Sequence, residues 1–203
     1  PPVPIVAVVE AEIEIRELFF NTPVRRKFLK SDITEMNQTL NIFIPYTLLY
    51  PRCRFLLSHQ DRYSIDLQPT ESFVSRIAET LNLEKEHLLE VHQDFPEEKM
   101  SVHMILGDIN ISRSRRDMQF LFINQRPVQS KSISFHINDV YRLLMPGGSA
   151  PFFTILIELP PQEIDVNIHP TKREVKIRDE QHLTSLLRHL CERTLLTAGK
   201  AKQ

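Results

Sequence analysis

The chain has 203 residues, 41% hydrophobic and 25% charged, enough to bury a core as one domain or two small ones. Lysine and arginine number 25 against 26 aspartates and glutamates, a formal charge of -1, so any nucleic-acid binding has to come from a local patch. Only four glycines occur, Gly107, Gly147, Gly148 and Gly199, and no G-x-G-x-x-G or G-x-x-x-x-G-K-[ST] loop for cradling phosphates can be assembled from them.

Along the chain, residues 10–15 alternate, with Glu10, Glu12 and Glu14 opposite Ala11, Ile13 and Ile15, the period of a half-buried strand. Thr22 before Pro23 suits an N-cap and first helical position, and predicts a short basic helix through Lys30. Asp32 with Glu35 resembles a capping box, and Ile33, Met36, Leu40 and Phe43 recur at helical spacing, so a second helix is expected over 32–44, ended or kinked by Pro45. Residues 54–59 and 63–67 read as a hairpin, and 71–91 as helical, with Phe73, Ile77 and Leu81 on one stripe and Leu88, Leu89 and Val91 in a second, shorter helix.

Strands are expected over 100–106 and 119–124, joined across Gly107 by a loop that holds Ser112-Arg113-Ser114-Arg115-Arg116. A helix over 132–145 should end at Pro146-Gly147-Gly148. Strands follow over 152–159, 164–168 and around 174–177, and the C-terminal helix aligns Leu183, Leu186, Leu187, Leu190, Cys191 and Leu195. Strands in runs broken by single helices predict an α/β sandwich, a mixed sheet with helices over one face, and one domain of about 200 residues.

Apolar runs stay far below the roughly 18 residues of a membrane span, so no membrane role is expected. Cys53 and Cys191 have no metal or redox spacing and suit a reducing compartment. Neither His87 with His92 nor His182 with His189 has the i, i+4 spacing of two helical metal ligands, so the histidines read as structural or surface residues and no metal site is expected. The start Pro1-Pro2-Val3-Pro4 lacks methionine and any cleavage signal, and reads as a piece cut from something longer.

Three groups of residues invite chemistry. Lys172 follows a strand that stops at Pro170, where a compact ammonium can reach a phosphate or simply be solvated. Arg113, Arg115 and Arg116 with neighbouring serines suit phosphate-backbone contacts, and equally a solvated loop. Arg25, Arg26, Lys27 and Lys30 form a second basic cluster at a helix start.

Taken together, three segments closely resemble the MutL group of DNA mismatch repair proteins. Leu18-Phe19-Phe20-Asn21-Thr22-Pro23-Val24-Arg25-Arg26-Lys27-Phe28 looks like its L-F-x-N-x-P-A-R-x-K-F element, with Val24 for the usual alanine. Residues 112–116 followed by Phe122-Ile123-Asn124-Gln125-Arg126 are similar to its S-R-x-x-R and F-V-N-G-R stretch. Asp165-Val166-Asn167-Ile168-His169-Pro170-Thr171-Lys172-Arg173-Glu174-Val175 matches D-V-N-V-H-P-x-K-x-E-V almost letter for letter.

The resemblance implies a transducer domain over 12–199, between a divergent or foreign lead-in at 1–11 and a tail at 200–203, with a ribosomal-protein domain-2-like fold and a left-handed β-α-β crossover. It implies that Lys172 contacts the γ-phosphate of an ATP held, with Mg²⁺, by an absent upstream half, so this piece alone carries no cofactor and does not turn ATP over. Implied partners are DNA, a MutS-like mismatch-recognition protein, downstream repair proteins and a second copy or relative in a homo- or heterodimer, in the cytoplasm on DNA or in a nucleus.

Two departures stand out: Gln125 occupies the glycine position of a tight turn, and Asn138 stands where relatives carry a basic DNA-facing residue, leaving the arginine loop and Lys131 as substitutes. A stand-alone, non-catalytic nucleic-acid-binding module of ribosomal-protein-like fold is the alternative. A transducer of a type II topoisomerase or chaperone is a third, against which the Asn-Thr-Pro-Val-Arg-Arg segment counts.

Overall fold

The structure is a computed structural model and describes residues 13–59, 62–114, 116–165 and 175–201. The chain divides into two compact units, residues 1–41 and 42–203.

In the first unit the expected strand is absent over its described part: residues 13–16 are irregular, and Ile13 and Ile15 are 84% and 74% exposed. Alternation alone does not make a strand, because the backbone still needs a partner for its ladder. Helix α1 is a single turn, Pro23–Arg26, shorter than expected, and the Thr22 side chain makes no capping bond. Helix α2, Asp32–Leu49, starts within this unit. Its cap lies one residue earlier than the predicted box, with Ser31 Oγ accepting from the Thr34 amide at 3.4 Å and Glu35 accepting from the Lys30 amide at 2.9 Å.

Within the second unit α2 continues through Pro45 instead of ending there. Proline removes one donor, yet the following turn is held by Thr47 Oγ1 donating to Ile44 O at 2.8 Å and by burial of Leu48 and Leu49. Tertiary burial offsets the lost hydrogen bond. The hairpin forms as expected, with β1 (Phe55–His59) antiparallel to β2 (Arg62–Leu67) and an irregular register after Leu57. Helix α3, Phe73–Leu81, is capped by Ser72 Oγ and ends on Asn82 in the left-handed region (φ 51°).

The second helix expected near residue 88 is a strand. Strand β3, Leu88–Phe95, pairs over its whole length with β4, Met100–Gly107. Its period-two burial was hidden by the adjacent Leu88-Leu89 pair and the acidic surroundings. The rest of the sheet comprises β6 (Gln119–Ile123), β7 (Arg126–Val128) and β9 (Phe153–Glu158), in the order β3-β4-β9-β6-β7. Strand β9 runs antiparallel to β4 and parallel to β6. The segment between β4 and β6 is therefore a connection across β9 and not a hairpin.

This is the expected mixed-sheet α/β sandwich. Because side chains alternate across the pleat, Met100, Val102, Met104 and Leu106 face one way with Phe153, Ile155 and Ile157. They pack with α4 (Lys131–Arg142) and α5 (Glu180–Ala201) through Ile133, Ile137, Leu187 and Leu190. Ile105 and Phe122 belong to a second apolar layer with Ile77 of α3 and Leu48 of α2, so helices also cover the other face. Two short pairs complete the fold: β5 (Ser112–Arg113) with β8 (Ala150–Pro151), and β10 (Ile164–Asp165) with β11 (Lys176–Ile177).

The turn that lacks glycine forms all the same. Asn124 and Gln125 both adopt positive φ, 47° and 60°, in a two-residue connection where Ile123 faces Arg126. Asn124 Nδ2 donates to Leu159 O and Asn124 Oδ1 accepts from Leu159 N, each at 2.8 Å. That clamp offsets the strain that glycine would have avoided.

Cys191 lies at 0% exposure on the apolar face of α5, and burial, with the Glu192 charge beside it, raises its thiol from an ordinary 9.0 to about 12. Burial raises the Tyr141 phenol as well. The buried thiol keeps a proton that the unfolded chain releases, so its stabilisation is complete below pH 9 and is lost as pH rises toward 12. Urea unfolding at pH 8 and pH 10.5 should show the wild type losing about 2 kcal/mol more than Cys191→Ala, at about 1.4 kcal/mol per pH unit beyond the unfolded thiol's value. Equal losses would contradict this.

Candidate nucleic-acid interface

The arginine loop is built by its neighbours. Strand β5 pairs Ser112 with Pro151 and Arg113 with Ala150, which tacks the loop onto the segment leaving α4. That segment, Pro146-Gly147-Gly148, turns on Gly148 at φ 85°, a conformation other residues rarely adopt. A surface depression of about 450 Å³ is lined by Ser114 and Arg116 of the loop, by Phe135, Asn138 and Arg142 of α4, and by Gly147, Gly148 and Ser149.

Arg113 and Arg116 are exposed and form no ion pair among the described residues. The acid in the depression is already engaged: Asp139 Oδ1 pairs with Arg142 and Oδ2 with Arg188, each at 3.0 Å. The uncommitted charge is therefore positive, and serine hydroxyls lie beside it. Such a site can take a phosphate.

Of the sequence-predicted residues, Lys131 is exposed at the first position of α4, roughly 16 Å along the helix from Arg142 at 1.5 Å per residue. It is not brought to the arginine loop; Arg142, which the sequence reading passed over, is. A basic residue in a helix's last turn next to a Pro-Gly-Gly exit was the available signal. Asn138 is tied up, exchanging bonds with the Gln119 amide at 2.9 and 3.1 Å. Arg115 and Lys172 lie outside the described residues. What is described is the frame on either side of Lys172: Asp165 and Lys176 face each other in the β10–β11 pair.

Helix α4 is held to the sheet beside this site by buried Tyr141, whose hydroxyl donates to Gly107 O at 2.7 Å. At Gly107 a Cβ would come within 3.1 Å of Ile111 Cβ and 3.3 Å of Phe152 Cβ, so a larger residue there would press on both neighbours where the chain enters the arginine loop.

A family model described as "DNA mismatch repair protein, C-terminal domain" matches residues 80–196, which span β3 to α5. The chain belongs to the MutL family of DNA mismatch repair proteins. It is 34% identical over 180 residues to the DNA mismatch repair protein MutL of Thermodesulfovibrio yellowstonii, covering 89% of this chain, and 37% identical over 169 residues to that of Syntrophotalea carbinolica, covering 83%. It spans 32% and 27% of the length of those two relatives. In fold it is similar to the N-terminal domain of a DNA repair protein, with TM-score 0.74 and 20% identity over 91% of this chain and 61% of that one. It is also similar in fold to the Aquifex aeolicus MutL ATPase domain complexed with ADP, with TM-score 0.61 and 24% identity over 87% of this chain and 55% of that one. No described helix is long and apolar enough to cross a membrane.

Proposed function

We propose that this MutL-family chain is the transducer portion of an ATPase, coupling ATP binding elsewhere in the full-length protein to dimerisation, DNA engagement and recruitment of repair partners. One observation carries the reading: the chain keeps the Asp165-to-Val175 segment with Lys172 but has no glycine-rich phosphate loop, and spans a third or less of its MutL relatives. The nucleotide pocket then belongs to the remaining length, and Lys172 is the charge this chain supplies to it. ATP and Mg²⁺ would be held there, with Lys172 stabilising charge on the γ-phosphate. The first unit supports the same arrangement, because Phe20, Val24, Phe28 and Ile33 are 68–79% exposed, a density of apolar surface that a further domain would cover.

DNA engagement is assigned to the arginine loop with Arg142, through phosphates. The test is a salt titration of duplex binding by the full-length protein, wild type against Arg113, Arg115 and Arg116 changed together to Ala. The variant should bind more weakly on every sequence, with a slope of log K against log salt reduced by about 2 to 3. An unaltered slope would show a solvated loop.

A further inference from the structure

The turn before β3 carries a second cluster. Residues Lys85–His87 form a 3₁₀ turn with Glu84 before it, and β4 ends at Gly107 beside them, with the Asp108 amide donating to His87 O at 2.8 Å. His87 Nδ1 lies 2.9 Å from Asp108 Oδ2, and the Asp108 side chain is only 9% exposed. Asn110 Nδ2, 3.3 Å from the same nitrogen, donates to Asp108 Oδ2 at 3.1 Å; a carboxylate accepts and does not donate, so in the neutral ring the shorter Asp108 contact puts the proton on Nδ1 and Nε2 presents its lone pair. That lone pair faces two more carboxylates, Glu84 Oε2 at 3.5 Å and Glu86 Oε1 at 3.7 Å. The three candidate donor atoms lie within 4.8 Å of one another.

Both separations exceed an N–H···O hydrogen bond, which runs to about 3.2 Å. They fit ligands sharing one ion: with metal–ligand bonds of about 2.1 Å, two ligands of a tetrahedral site stand roughly 3.4 Å apart. The neighbouring cation does not neutralise the group, since Lys85 donates to Ser75 Oγ at 3.0 Å, and neither Glu84 nor Glu86 pairs with a lysine or arginine among the described residues.

We propose that His87 Nε2, Glu84 and Glu86 form a divalent transition-metal site of the zinc class, with Asp108 as the buried partner that orients the imidazole. Imidazole with two carboxylates suits Zn²⁺ or Co²⁺ and disfavours the oxygen-seeking Mg²⁺. The two glutamates are 76% exposed and the imidazole 24%, so an ion can enter from solvent and keep water at its fourth position. The i, i+4 spacing of histidines plays no part here: Asp108 arrives just after β4, and Glu84 and Glu86 from the turn itself. The site is independent of the nucleotide and DNA reading.

The test is isothermal titration of the chelator-stripped protein with ZnSO₄, paired with the visible spectrum of added Co²⁺. One equivalent should bind. Asp108→Asn should weaken binding 10- to 100-fold, the usual loss for a partner behind a metal-bound histidine, and His87→Gln should abolish the stoichiometric phase and the tetrahedral Co²⁺ band. Glu84→Gln with Glu86→Gln alters only exposed side chains, so the fold is not at stake, and it should weaken Zn²⁺ at least 100-fold. Binding that persists unchanged in that double variant, or no stoichiometric binding in the wild type, would overturn the site.

Discussion

Lys172→Ala in the full-length protein is expected to lower ATP turnover by about 10²-fold or more, the usual size for removing one donor that stabilises charge developing at a reacting centre. A phosphoryl group in transfer spreads negative charge over its oxygens, and an ammonium placed against them acts more strongly in the transition state than in the ground state. The change should fall on kcat more than on KM, with the thermal midpoint unmoved. Steady-state ATPase kinetics beside a thermal melt read all three quantities. Unchanged turnover would return Lys172 to the solvated alternative.

Arg76→Ala is expected to cost about 3 to 5 kcal/mol, the scale for breaking a buried charged network by removing one side. Arg76 sits at 0% exposure, and the two N–H groups of its Nη2 are shared among Pro51 O at 2.6 Å, Cys53 O at 2.7 Å and Gln68 O at 2.9 Å. The guanidinium also lies 5.9 Å from the Phe55 ring centre. One side chain on α3 thus ties down both the approach to the β1–β2 hairpin and its exit. Its Nε and Nη1 are buried without a partner among the described residues, and burial draws the guanidinium below its ordinary value, offset in part by Glu79. Removing it strands three carbonyls, which is the expensive direction of change. Arg76→Lys should retain part of the stability, because an ammonium has three donors for those three acceptors. Urea midpoints of the two variants measure this, and a loss under 1 kcal/mol for alanine would refute it.

What the sequence disclosed tracks how local the deciding physics is. Helix α3 and helix α5 were legible because their stripes, Phe73, Ile77 and Leu81 in one and Leu183 to Leu195 in the other, bury the faces that periodicity marks. Strand β3 was missed because its side chains sort across a sheet only once β4 is alongside, over eight paired positions. Pro45 was read as a stop because its lost hydrogen bond is visible in sequence, whereas the burial of Leu48 and Leu49 that carries α2 past it is not. The Asn124-Gln125 turn depends on Leu159, distant in the chain and adjacent in space. At the interface, the arginine loop could be found by composition. Its companion Arg142 leaves only a faint local signal, a basic last turn before Pro-Gly-Gly, because the β5–β8 pairing that brings the end of α4 to the loop is a tertiary fact. The same holds for Asp108 behind His87.

The central claim is that nucleotide and DNA communicate through this chain. It is tested most directly by measuring duplex affinity of the full-length protein at fixed salt, with and without a non-hydrolysable ATP analogue, in the wild type and in Lys172→Ala. The account predicts that the analogue tightens DNA binding in the wild type, since the proposed dimerisation would present two arginine loops to one duplex, and that Lys172→Ala loses this gain while its nucleotide-free affinity stays unchanged. A gain of equal size in both proteins would contradict it.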